Sequence, residues 1–136
     1  MTVRGWNPRT KSPISFTAGP DNLPGKKPGK GTSGPEAADK SLNGKQEVVV
    51  DAPVLTEQEA QVLAIALLTR RAYEFITGQG QVIGLPDLRP GDTVELRNLG
   101  TRFSGEYYVK KVEHVLGANG YLTNFEVRKM VDGGTK

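Results

Sequence analysis

The sequence has no cysteine, a single histidine (His114) and a single tryptophan (Trp6). Without cysteine there is neither a disulfide framework nor a thiolate metal site, and one histidine excludes a histidine-rich one. No N-terminal segment resembles a signal peptide, and no apolar run approaches the roughly 20 residues needed to cross a bilayer. The expectation is a soluble chain made in the cytoplasm. Apolar residues make up only 36% of the 136, which is thin for a compact core. The length supports one small domain with part of the chain outside the core.

Charge is unevenly spread. Residues 1–46 hold eight Lys/Arg against three Asp/Glu, whereas residues 47–136 hold ten against twelve. The net +3 therefore comes from the N-terminal third and is weak grounds for a folded nucleic-acid surface.

Residues 84–128 carry most of the information. Pro90-Gly91 suits a type II turn, since proline presets the first central dihedral and glycine accepts the positive φ of the second. Over residues 93–97, Val94 and Leu96 alternate with Thr93, Glu95 and Arg97, the period of a strand with one buried face. Leu99-Gly100 breaks it. Residues 103–116 are β-branched and aromatic enough for a long strand. Tyr107 and Val109 share one parity, whereas Val112, His114 and Leu116 share the other, so a bulge near Lys110-Lys111 is expected. Asn119-Gly120 signals a hairpin, and Tyr121, Thr123, Phe125 and Val127 share one face of the return strand.

Upstream, residues 1–11 are expected to hold one short strand, ended at Asn7-Pro8, with Trp6 as a core or interface anchor. Residues 12–46, rich in Gly, Pro and Lys, read as a flexible linker or insertion that cannot bury enough apolar area to offset chain ordering. Lys26, Lys27 and Lys30 there could touch phosphate, although a solvated linker accounts for them, and GKGTSG lacks the spacing of a P-loop. A short strand is expected over residues 47–50. Thr56-Glu57-Gln58-Glu59 forms a capping box, and Ala60, Leu63, Ala64, Leu67, Leu68, Ala72, Phe75 and Ile76 make a helical apolar stripe. Gly78 reads as its C-cap, Arg70 and Arg71 suit its C-terminal dipole, and residues 81–84 read as a brief strand.

Chemistry is sparse. His114 is the one side chain suited to acid–base work near neutral pH, but its neighbour Glu113 points to the opposite face of a strand, so His114 reads as a structural, hydrogen-bonded position. Asp87 and Asp92 flank a turn without the alternating ligands of a calcium loop. No catalytic, cofactor or metal residue is expected.

The ordered set Gly84, Pro86, Leu88, Pro90, Gly91, Asp92, then Phe103, Ser104, Gly105, Tyr107, Tyr108, Val109, then Val112, His114, Gly120, Tyr121, Thr123, Phe125, Val127 and Arg128 resembles the C-terminal part of phage late control protein D. That family comprises baseplate hubs of contractile tails and the hub half of type VI secretion spike proteins. The resemblance covers roughly residues 48–129. It implies a non-enzymatic structural protein, a homotrimer joining a tail tube protein to a central spike protein through protein contacts. It would be built into a virion or injection particle, with no small-molecule substrate, no membrane insertion and no cofactor. Family members are longer, so the chain would be a fragment, a split-gene product or a small relative. The alternative is a small β-barrel binding nucleic acid through aromatics and Lys110-Lys111. The expected fold is mainly β with one α-helix, an α+β class: a small curled antiparallel sheet or partial barrel with a helix packed on it. The expected organisation is 1–11 strand, 12–46 linker, 47–130 hub-like domain and 131–136 disordered tail.

Overall fold

The computed structural model describes residues 1–24, 31–42, 47–118 and 120–133. The chain is an α+β fold with a curled antiparallel sheet. It divides into two compact units, Met1–Ala72 and Tyr73–Lys136.

In the first unit, β1 (Thr2–Asn7) lies between β2 (Ser12–Thr17), antiparallel, and β3 (Val48–Val49), parallel. Asn7 shapes the β1–β2 turn, its side-chain oxygen accepting the amides of Arg9 and Thr10. Within the stretch expected to be linker, the described residues carry β2 and the helix α1 (Gly34–Leu42). The reason is local: Ile14, Ala18 and Leu23 are buried, giving the segment apolar anchors that its Gly/Pro/Lys composition hides. Ser33 and Glu36 start α1 with the Glu36 carboxylate accepting both the Ser33 amide (2.9 Å) and hydroxyl (3.1 Å). Lys26, Lys27 and Lys30 lie outside the described residues. Trp6 is 55% exposed and so is not a core residue of this unit.

The helix α2 (Glu57–Ala72) begins at the expected capping box: the Glu59 amide donates to Thr56 Oγ1 (3.2 Å), and Glu59 Oε2 accepts the amides of Leu55 (2.8 Å) and Thr56 (3.2 Å). Its buried residues are Ala60, Ala64, Leu68 and Ala72, one residue every turn. Three of the four are alanine, which lets the helix sit close on β1 and β2; α1 packs on α2 in turn. The helix is shorter than expected. It stops at Ala72, and Ile76 opens a strand, so Gly78 lies within that strand and is no C-cap.

The second unit is a four-stranded antiparallel sheet in the order β4 (Ile76–Ile83), β7 (Gly120–Lys129), β6 (Gly105–Gly117), β5 (Thr93–Leu96), with a one-turn helix α3 (Gly100–Phe103) between β5 and β6. Glycine hides β4 in the sequence. Gly80 faces Phe125 across the ladder, and a Cβ there would come 2.4 Å from the Phe125 ring. The ring occupies the space a side chain would need. The turn into β5 is as expected: Gly91 has φ +102°, the Asp92 amide donates to the Arg89 carbonyl (3.2 Å), and Asp92 Oδ2 accepts the Arg89 amide (2.8 Å). At the β6–β7 hairpin Gly120 has φ +89°; Asn119 lies outside the described residues.

The expected bulge is present. Val109 pairs with Val127 but Lys111 pairs with Glu126, so Lys110 is the extra residue. Tyr107 and Val109 before it, and Val112 after it, thereby pack into one core with Ile76 and Val127, flanked by Phe75, Leu88, Val94, Leu96 and Phe125.

Tyr107 anchors this core with a polar tip, donating its hydroxyl to the Phe103 carbonyl, while Lys129 Nζ lies 5.3 Å from its ring centre and donates to the Ser104 carbonyl (2.8 Å). Burial raises the Tyr107 phenol above its ordinary pKa. Burial lowers that of Lys129, against the raising effect of Asp132 and Glu106. A raised acid contributes stability that is present below its unfolded pKa, about 10, and is lost as pH climbs through the folded value. The lowered lysine acts in the opposite sense in the same window. Tyr107→Phe removes only the first effect, so the wild type should lose more stability than this variant between about pH 10 and 11, measured by urea denaturation, and absorbance titration of the variant should lack an ionisation step above about pH 10.

Candidate ligand-binding face

Because side chains alternate along a strand, the residues of β7 that do not enter the core, Asn124, Glu126 and Arg128, share the outer face of the curled sheet. Register sets their neighbours. Gln81 of β4 and Glu113 of β6 flank Asn124; Gln79 and Lys111 flank Glu126; Thr77 and Tyr108 flank Arg128. The bulge at Lys110 brings Lys111 and Glu113 to this face, where an unbroken alternation would have placed Lys110 and Val112.

The first two rows line a shallow groove of 420 Å³ bounded by Gln79, Gly80, Gln81, Lys111, Glu113, Asn124, Phe125 and Glu126. Its polar groups are linked across three strands. Gln81 Nε2 donates to Asn124 Oδ1 (2.8 Å), and Asn124 Nδ2 donates to Glu113 Oε2 (3.3 Å). Beside this relay Lys111 Nζ lies 3.9 Å from Glu126 Oε1. The linkage orients both amides, since the Asn124 amide must accept from one side and donate to the other. Each group keeps unused hydrogen-bonding capacity: one N–H and the carbonyl oxygen of Gln81, one N–H and one lone pair of Asn124, and one carboxylate oxygen per glutamate.

His114 belongs elsewhere. Its Nδ1 lies 2.9 Å from the Tyr121 hydroxyl and 3.2 Å from Thr123 Oγ1, and its ring stands 5.8 Å from that of Tyr121. Thr123 is fully buried and accepts the Leu85 amide (2.9 Å), tying the segment after β4 to β7. Glu113 and His114 do not come together: one bonds Asn124, the other Thr123 and Tyr121. Among the residues singled out in the sequence, only Lys111 and Glu113 with Phe125 reach the groove. Gln79, Gln81, Asn124 and Glu126 were missed as site residues; the signal for the first two is their alternation with Gly78 and Gly80, which was hidden by reading Gly78 as a helix C-cap and starting the strand only at Gln81.

The fold and this face define an α+β protein that presents an open, amide- and carboxylate-lined sheet surface. Residues 1–117 match the family model of the Alg8 N-terminal domain, and the chain belongs to this family. The match ends at Gly117, the last residue of β6, so β7 lies beyond it. No curated protein matches the sequence.

Membership of this family corrects the assignment to phage late control protein D and baseplate hubs, and with it the structural tail role, the expected homotrimer, the tail tube and central spike partners, the virion location and the non-enzymatic reading. The nucleic-acid barrel alternative falls too. The physical reason is visible in the fold. Gly91, Gly105 and Gly120 adopt positive φ, Tyr107, Val109, Phe125 and Val127 fill the core, and Asp92 holds a turn. The residues that carried the resemblance are those any small curled antiparallel sheet uses to turn and close. No helix among the described residues is long and apolar enough to cross a membrane.

Thr123→Val keeps shape but leaves the Leu85 amide without its acceptor at a buried position, which costs about 1–3 kcal/mol. Chemical denaturation of the variant should show that loss, and a change under about 0.5 kcal/mol would remove Thr123 as the tie between these segments.

Proposed function

We propose that this chain takes part in glycosyl transfer, the chemistry to which the Alg8 N-terminal domain family points, with the groove on its curled sheet as a saccharide-binding face. The observation that carries this reading is the relay Gln81–Asn124–Glu113 beside the Lys111–Glu126 pair. A saccharide offers adjacent hydroxyls, each with one donor and two acceptor lone pairs, and planar amides and carboxylates held at fixed positions meet them in complementary fashion. Groups already bonded to one another lose little side-chain freedom when a ligand arrives. The groove's 420 Å³ lies in the range of small-ligand sites, about 300–1,000 Å³. Glu113 and Glu126 accept from sugar hydroxyls; Lys111 and the amide nitrogens donate to them. The reading assigns binding to these residues and catalysis to none of them.

The test is calorimetric titration of the full chain with neutral glucose and mannose trisaccharides. At least one should bind, and Asn124→Ala or Gln81→Ala should weaken it about tenfold, the loss of one to two hydrogen bonds. Failure of both trisaccharides to bind, or affinity unchanged in both variants, would contradict the proposal.

A further inference from the structure

At the end of the groove the outer face changes character. The Arg128 guanidinium packs against a pair of aromatic rings, its central carbon 4.8 Å from the centre of the Tyr108 ring and 5.1 Å from that of Tyr73. The rings themselves are 5.8 Å apart and inclined at 52°. The Arg128 side chain has no hydrogen bond or ion pair among the described residues, and its Nε is buried without a partner. An arginine used only for packing would ordinarily have a carboxylate or carbonyl in reach, because leaving a charged donor buried and unsatisfied is costly. Here ring contacts take the place of a hydrogen-bonding partner and leave the terminal N–H groups uncommitted. Those groups form a fork of parallel N–H donors matched to a carboxylate or a phosphate.

Charge around it is mixed. Glu126 is two residues along the same strand and face, about 7 Å away by strand geometry, and its carboxylate is close to Lys111 Nζ at 3.9 Å. Arg128 thus stands next to the saccharide groove, at a spacing that one ligand can span, with the nearest carboxylate on its strand partly neutralised.

We infer that Arg128, packed against Tyr73 and Tyr108, binds the oxyanion of an anionic saccharide whose sugar lies in the groove. This rests on the groove being a saccharide site and names the class of ligand it takes: a sugar bearing a carboxylate, as in a uronate, or a phosphate. Arg128 binds the anion through its fork, and the tyrosines keep the fork oriented and shield its Nε from water.

The experiment follows the side-chain amide resonances of Gln81 and Asn124 by NMR in the wild type and in Arg128→Lys, and the Arg128 Nε–Hε resonance in the wild type, during titration of the full chain with glucose, glucuronate, glucose 1-phosphate and inorganic phosphate. The expected result is a saturable shift with glucuronate or glucose 1-phosphate, at least about tenfold tighter than glucose, and loss of that advantage in Arg128→Lys, which keeps the charge and lacks the fork. The stronger of the two sugar anions identifies the carboxylate or the phosphate as the natural group. Glucose binding in the groove with no gain from either anion would overturn the Arg128 assignment and leave the groove standing. A shift with inorganic phosphate as tight as with glucose 1-phosphate, with no binding of glucose, would uphold an anion site at Arg128 and overturn the saccharide reading. No shift with any anion, or an unchanged advantage in Arg128→Lys, would overturn the inference outright.

Discussion

One strand with two chemically opposite faces is the constraint on which the second unit depends. β7 pairs with β4 on one side and β6 on the other, so its alternation is transmitted to both neighbours. Val127 and Phe125 go to the core, and Asn124, Glu126 and Arg128 go to the outer face. β6 could not match this alone, because its apolar residues change parity between Val109 and Val112. The single extra residue Lys110 restores the match. A one-residue slip anywhere in this ladder would exchange core and surface.

Glycine completes the arrangement by absence of a side chain. Phe125 is large, and it fits because its cross-strand partner Gly80 leaves the space over the ladder open. The same glycines make β4 look unlike a strand, since Gly and Gln are poor strand formers taken singly. Tertiary pairing with β7, not local propensity, makes residues 76–83 extended.

That difference marks what could be read from residues alone. Signals confined to a few neighbours were legible: the Thr56–Glu59 capping box, the Pro90-Gly91 turn, the parity switch at Lys110, and the α+β class with a curled sheet. Ser33-Gly34-Pro35-Glu36 is a second capping box with an early proline, and it was overshadowed by the Gly, Pro and Lys around it. Ile14 and Phe16 alternate as a strand does, but six residues inside a polar stretch gave a weak signal. The groove was not legible, because Gln79, Gln81, Asn124 and Glu126 come from strands 40 or more residues apart and meet only through register. The hub resemblance failed for a related reason: turn glycines and core aromatics in order report how a sheet is closed, and the family of the chain is a separate matter.

On the proposed reading, saccharide meets the outer face of β7 and leaves the inner face untouched. It is tested most directly by titrating the protein with a neutral trisaccharide while recording side-chain amide and methyl NMR signals together. The side-chain amides of Gln79, Gln81 and Asn124 should shift, with the methyls of Val109 and Val127 unmoved. Shifts in those core methyls without any in the amides would contradict it.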